Sequence, residues 1–240
     1  EVDTVTWPAF IYTKEDSLVT GESHIVYERG AIELIDLPWR HRLEPALEVV
    51  RPRGYLVHAG WPQIEEAVRG HGLTAVSLSE PVEAEVETIR LSDAVFAASP
   101  YQGVTTVADF KVARGTETRG IPAGSLWIPA DQPDFEVAVQ LFEPEGRDSL
   151  LRWGALSSIF EMKTYIGLDK LEEIARTMIA DDEVRTAWER ALEDPDFATD
   201  ERARYMWWYR RTPYWDEQVG LLPVYRVLST DLAANLGRTE

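Results

Sequence analysis

The run from Ile121 to Gly154, IPAGSLWIPADQPDFEVAVQLFEPEGRDSLLRWG, narrows the folds open to this chain more than any other stretch. It sets a turn, a short strand, a helix, a Pro/Gly stop and a second helix in immediate succession. Ala123-Gly124 makes the turn, and Leu126-Trp127-Ile128 is a brief apolar strand that Pro129 ends. Asp131 is predicted to cap the helix, with Pro133 in its first turn, where the missing N–H has no intrahelical partner to lose. Asp134 and Glu136 sit at the positive end of the helix dipole, and Phe135, Val137, Ala138, Val139, Leu141 and Phe142 fill its body. Glu143-Pro144-Glu145-Gly146 stops it, and Asp148 or Ser149 is placed to cap a second helix. No catalytic constellation lies here. The segment builds core.

Upstream, from Val2 to about Val50, short strands and turns predict a meander. Phe10 to Tyr12, His24 to Tyr27 and Ala31 to Leu37 are its strands, separated by Thr20-Gly21 and Arg29-Gly30. Arg40 to Pro52 reads as an extended connector. Gly54 to His58 then gives a strand, Pro62 to Gly70 a helix and Leu73 to Leu78 a second strand. A strand, helix and strand this close predict a right-handed βαβ crossover with a parallel pair. No Gly-rich fingerprint follows the first strand, so the unit lacks the signature of a dinucleotide site. Val82 to Glu87 alternates strictly, placing Glu83, Glu85 and Glu87 on a wet face. Ala94 to Ala98, Val104 to Ala113 and Thr116 to Ile121 continue as strands.

Downstream the pattern turns helical. Asp169 and Glu172 have capping-box spacing ahead of the stripe Leu171, Ile174, Ala175, Met178 and Ile179. Asp181 or Asp182 opens the next helix, which Asp194-Pro195 closes, and Thr199 or Asp200 caps another. Pro223 to Val227 is predicted to return to the sheet. The fold class is therefore α+β: a mixed β-sheet with one βαβ unit, followed by a helical C-terminal part. We expect one domain over residues 1–240, sheet-rich over 1–165 and helical over 166–240.

Hydrophobic residues make up 45% of the 240 residues, enough for a buried core. The formal charge of −18 argues against nucleic acid, which needs clustered Lys and Arg. Arg202, Arg204, Arg210 and Arg211 do cluster, but among acids and aromatics. No apolar run approaches the ~18 residues that would span a membrane. Without cysteine there are no disulfides, thiolate metal sites or thiol nucleophiles. The chain begins at Glu1 and not at Met, which reads as processing or truncation.

His41-Arg42-Leu43-Glu44 spells H-x-x-E, the spacing of two zinc ligands, but a third ligand is required. The later histidines, His58 and His71, fit the strand–helix–strand unit as structural residues, so His41 and Glu44 are weak metal candidates. Ser125 has no histidine tied to it by a local pattern, and there is no G-x-S-x-G elbow, P-loop or H-E-x-x-H. The aromatic cluster Tyr205, Trp207, Trp208, Tyr209, Tyr214 and Trp215 suits core, an interface with another domain, or a platform for carbohydrate or peptide.

Several motifs, in order, carry a resemblance. They are Arg51-Pro52-Arg53-Gly54-Tyr55-Leu56-Val57 and His71-Gly72-Leu73; Ile121-Pro122-Ala123-Gly124-Ser125; Gln132; Leu141-Phe142-Glu143-Pro144; Asp148-Ser149-Leu150 with Trp153-Gly154; and Arg211-Thr212-Pro213-Tyr214-Trp215-Asp216 before Pro223-Val224. The chain resembles the region C-terminal to the catalytic domain in large bacterial zinc carboxypeptidase-like proteins, of the carboxypeptidase A-like metallopeptidases. The resemblance implies that zinc and the catalytic glutamate belong to an upstream peptidase domain of the same polypeptide. This chain is then not itself an enzyme and holds no cofactor. It also implies export, to the periplasm or the exterior.

Overall fold

A computed structural model describes residues 3–42 and 44–237, leaving Glu1, Val2, Leu43 and the last three residues outside the described set. The chain divides into two compact units, residues 1–50 and 51–240.

The first unit is a single antiparallel hairpin of β1 (Asp3–Asp16) and β2 (Ser23–Trp39). Thr20-Gly21 turns the chain as expected, with Gly21 at φ 74°. Arg29-Gly30 does not. Gly30, at φ 75°, lies inside β2, where pairing jumps from Phe10↔Ile32 to Tyr12↔Tyr27. Its left-handed backbone serves a bulge, so one long strand runs where two were expected.

The second unit is built on a six-stranded sheet. In chain order its elements are β3 (Gly54–Val57), α1 (Pro62–Gly70), β4 (Val76–Ser77), β5 (Val82–Phe96), β6 (Val107–Ile121), β7 (Leu126–Pro129) and α2 (Phe135–Phe142). Then come α3 (Leu168–Met178), α4 (Asp182–Leu192), α5 (Pro195–Thr199), α6 (Glu201–Tyr209), β8 (Val224–Val227) and α7 (Thr230–Leu236). The sheet order is β4-β7-β3-β8-β5-β6, and every pairing is antiparallel. The class is α+β.

The expected parallel pair is corrected by this order. β3, α1 and β4 do form, and β3 and β4 run in the same direction. β7 lies between them and hydrogen-bonds to both, so the crossover is split. Local sequence fixes the helix and its two strands; the intruder comes from about fifty residues further on.

Alternation along the strands gives the sheet two apolar faces. Tyr55, Val57, Ile89, Leu91, Ile128 and Val224 face α1, α2 and the turns at 147–160. Leu56, Ala84, Val86, Trp127, Tyr225 and Val227 face α7. β3 and β8 are buried along their whole length, as a covered central strand must be. A Cβ on Gly54 would run into the Trp127 ring and the Ile128 carbonyl, so only glycine lets β3 and β7 approach this closely.

Three helix starts differ from expectation. α2 begins at Phe135 and not after Asp131, because Gln132 is committed elsewhere. Its Oε1 accepts from the Thr74 N–H at 2.8 Å, and its Nε2 donates to the Pro129 carbonyl at 2.7 Å. After Asp148, Ser149 Oγ accepts from Arg152 N at 3.2 Å, but Gly154 at φ 75° ends the run in turns. α3 uses Gly167 as its N-cap, which puts Asp169 in the first turn and undoes the capping box. Asp181 and Asp200 cap α4 and α6 as predicted. Asp194 caps α5 and so opens a short helix there.

Candidate functional site

α3, α4 and α6 bury little of themselves; Leu171 and Tyr209 are their fully buried side chains. Between them lies a concavity of about 700 Å³, lined by Leu168, Leu171, Trp188, Tyr205 and Trp208, with Arg202, Arg204, Glu172 and Glu201 among its polar neighbours. Trp188 is its anchor. Its ring lies 4.9 Å from those of both Trp207 and Trp208, and the Arg204 guanidinium sits 5.7 Å above it. An apolar hollow with a few charged groups at its rim is the usual form of a ligand site.

The six aromatics singled out in the sequence divide accordingly. Tyr205 and Trp208 line the hollow. The Tyr205 hydroxyl is held at its far end, donating to the Ile166 carbonyl at 2.7 Å. Tyr209 is core: its hydroxyl meets Thr164 Oγ1 at 2.7 Å and the Tyr214 carbonyl at 3.1 Å. Trp207 lies beneath the Arg211 guanidinium, 3.6 Å from its ring centre, and Trp215 packs edge-on against Tyr209 at 5.5 Å. Tyr214 is exposed. The six therefore do not form one platform.

The sheet carries a second polar constellation, this one buried. Arg226 and Glu143, each with 4% of its side chain exposed, lie 2.8 Å apart, Nε to Oε1. Arg226 also pairs through Nη1 with Glu87. The register sets this up: Arg226 is opposite Tyr55 on one side and Glu87 on the other, all on the same face. The Tyr55 hydroxyl donates to Glu143 Oε1 at 2.8 Å, and Arg114 Nη1 donates to Oε2 at 3.1 Å while its second nitrogen reaches Glu145. Burial, and then the Glu143 charge, push the Tyr55 pKa well above the usual phenol range, which keeps it a neutral donor. Burial alone would lower the Arg226 pKa, but Glu143 and Glu87 outweigh it and raise it. Both Glu143 oxygens are engaged, so the cluster clamps β3, β5, β6, β8 and the end of α2 together.

Sequence reasoning missed this cluster. Glu83 and Glu85 are exposed as read, but Glu87 is half-buried against a cation from β8. The available signal was Arg226 itself, a lone charge within the apolar Val-Tyr-Arg-Val, which demands a buried acid.

His41 and Glu44 do not come together with a third ligand. His41 Nε2 lies 3.8 Å from Asp3, its ring is edge-on to Trp39, and Glu44 is exposed. Among the described residues no three His, Asp or Glu side chains converge as a metal site. Ser125 is fully buried and its Oγ accepts from the Ala59 N–H at 3.0 Å, a structural use. His58 Nδ1 stands 2.8 Å from the Ala59 carbonyl, which can only accept, so that nitrogen carries the proton. Among the described residues no helix is long and apolar enough to cross a membrane.

The fold defines an α+β protein with a split strand–helix–strand unit and a helical insertion. Comparison then places part of it among carboxypeptidase-related sequences. The chain is 31% identical over 124 residues to Carboxypeptidase 2 of Trichophyton rubrum, covering 51% of this chain and 22% of that protein. It is 32% identical over 108 residues to Carboxypeptidase 2 of Trichophyton tonsurans, covering 44% and 20%. Probable carboxypeptidase 2 of Arthroderma benhamiae is 30% identical over 118 residues, covering 48% and 22%. These relatives are fungal, where the sequence resemblance pointed to bacterial proteins. The matches span about a fifth of the relatives' length. No family model and no solved structure matches the chain.

Proposed function

We propose that this chain is the non-catalytic C-terminal domain of a secreted zinc carboxypeptidase-like protein, packing against an upstream peptidase domain that holds the zinc. The observation that carries the reading is the partial match, half of this chain against about a fifth of proteins named for carboxypeptidase activity. It is supported by where the chain invests its buried charge. Glu143, Glu87, Arg226 and Arg114 satisfy one another and clamp strands, and among the described residues His41 and Glu44 meet no third ligand. The test is zinc content by mass spectrometry after zinc dialysis, with release of C-terminal residues from peptides. The 240-residue chain is expected to hold no stoichiometric zinc and release nothing, while the longer polypeptide does both. Zinc in the chain with activity lost in His41→Ala would overturn the reading.

The hollow between α3, α4 and α6 favours a second role, a binding module for carbohydrate or peptide. A sugar ring or peptide aromatic would stack on Trp188, Tyr205 and Trp208. Binding lost in Trp208→Ala and retained in Trp215→Ala would support it; the reverse would not.

A further inference from the structure

The β1–β2 hairpin is a two-stranded ribbon with apolar side chains on both faces. Register and alternation place Val5, Trp7, Ile35, Leu37 and Trp39 on one face. Pro8, Phe10, Ile32 and Leu34 share the other. Most are open to solvent, Trp7 59% exposed, Phe10 62%, Leu34 74% and Trp39 53%, while Val5 and Ile35 are half-buried. Phe10, Tyr12 and Tyr27 meet edge to edge with ring centres 6.2 Å apart, a pre-ordered aromatic surface. An isolated two-stranded ribbon is marginal in water, and contiguous exposed apolar surface of this kind marks an interaction site. Apolar residues on both faces require an occupant that embraces the ribbon from both sides, which one flat contact would not do.

We infer that the hairpin is a docking arm whose two apolar faces are covered by the peptidase domain of the same polypeptide; this rests on the functional reading above. Two observations select that occupant. About four-fifths of the length of the matched carboxypeptidases lies outside the matched stretch, so such proteins have ample chain to supply the cover. A second copy of this chain is disfavoured by charge: residues 1–50 hold ten acids against four Lys and Arg, and the whole chain carries −18. Two such ribbons brought together would repel. On the first face Val5, Trp7, Ile35 and Leu37 adjoin without an intervening charge, bounded by Asp3 beside Trp39 at one end and Glu33 at the other, an apolar centre with a charged rim.

Hydrogen exchange by mass spectrometry on the 240-residue chain and on the full-length polypeptide tests this. The hairpin amides are expected to exchange at least about tenfold more slowly in the full-length protein, with the 51–240 sheet unchanged. The paired substitution Trp7→Ser and Leu37→Ser should return the hairpin to fast exchange in the full-length protein and leave the short chain as it was. Equal hairpin exchange in both polypeptides would overturn the inference, and so would protection in the short chain that grows with concentration alongside a dimer mass. Zinc content and peptidase activity of the full-length protein are read in parallel. An active zinc enzyme with an unprotected hairpin defeats the docking arm alone, and a protected hairpin without zinc or activity defeats the functional reading alone.

Discussion

Replacing Arg226 by Met isolates the buried clamp. Methionine keeps most of the stem's volume and removes the charge, leaving Glu143, 4% exposed, and Glu87, 19% exposed, without their shared cation. Breaking a buried pair by deleting one partner costs about 3–5 kcal/mol, much of it from stranding the other charge. Arg114 remains on Glu143 Oε2 at 3.1 Å, so the low end applies, about 3 kcal/mol. For a unit of this size that is a fall of roughly 6–12 °C in Tm. Urea and thermal unfolding followed by tryptophan fluorescence would measure it. The compensating triple variant, Arg226→Met with Glu87→Gln and Glu143→Gln, should recover most of the loss, because neutral groups are cheap to bury beside a methionine. A single Arg226→Met variant within about 1 kcal/mol of the parent would refute the argument, for that is how solvent-exposed pairs behave.

Tyr55 gives a pH dependence of known sign. Its raised folded-state pKa means the native protein holds this proton more tightly than the unfolded chain. The stabilisation is complete below the ordinary phenol value of about 10 and is lost as pH rises above it, by up to about 1.4 kcal/mol per pH unit. Tyr55→Phe should flatten that alkaline limb in urea titrations, and an unchanged slope would defeat the assignment. Part of the slope should survive, because burial also raises Tyr225. Gly220→Ala should destabilise by more than about 1 kcal/mol, since Gly220 has φ 75° and an added Cβ would strike the Leu91 carbonyl. Asp181→Ala should cost about 1 kcal/mol, measurable by denaturation, because it removes the acceptor for Glu183 and Val184 N–H at the start of α4.

What could be read from the sequence was local. Pro129 ends β7 where expected, Asp181 and Asp200 cap their helices, and the strand at Val224 returns to the sheet, each set by side chains within a few positions. The failures needed information from far along the chain. Nothing between Gly54 and Leu78 shows that Leu126–Pro129 will enter between its strands. Gly30 is punctuation in either reading, and only the opposing strand decides between turn and bulge. Alternation puts Glu87 on the wet face with Glu83 and Glu85, yet it is half-buried against a partner 139 positions away. The hollow is half visible: Tyr205 and Trp208 stand out in the aromatic cluster, but Trp188 lies on another helix, apart from it in sequence.

The place of β8 imposes an order on assembly. β8 sits between β3 and β5, and it is the last strand of the sheet to be synthesised. Until β8 is made, the facing edges of β3 and β5 have no strand to pair with. A sheet lacking β8 would be two fragments with a gap, β4-β7-β3 and β5-β6, each presenting an edge open to a foreign strand. Arg226 arrives with the strand that fills the gap; until then Glu87 lacks that cation and Glu143 has Tyr55 and Arg114 alone. The same residue that clamps the finished sheet thus marks the right strand: a neutral intruder could pair with the edges but would leave Glu87 without its cation and Glu143 with Arg114 and Tyr55 alone.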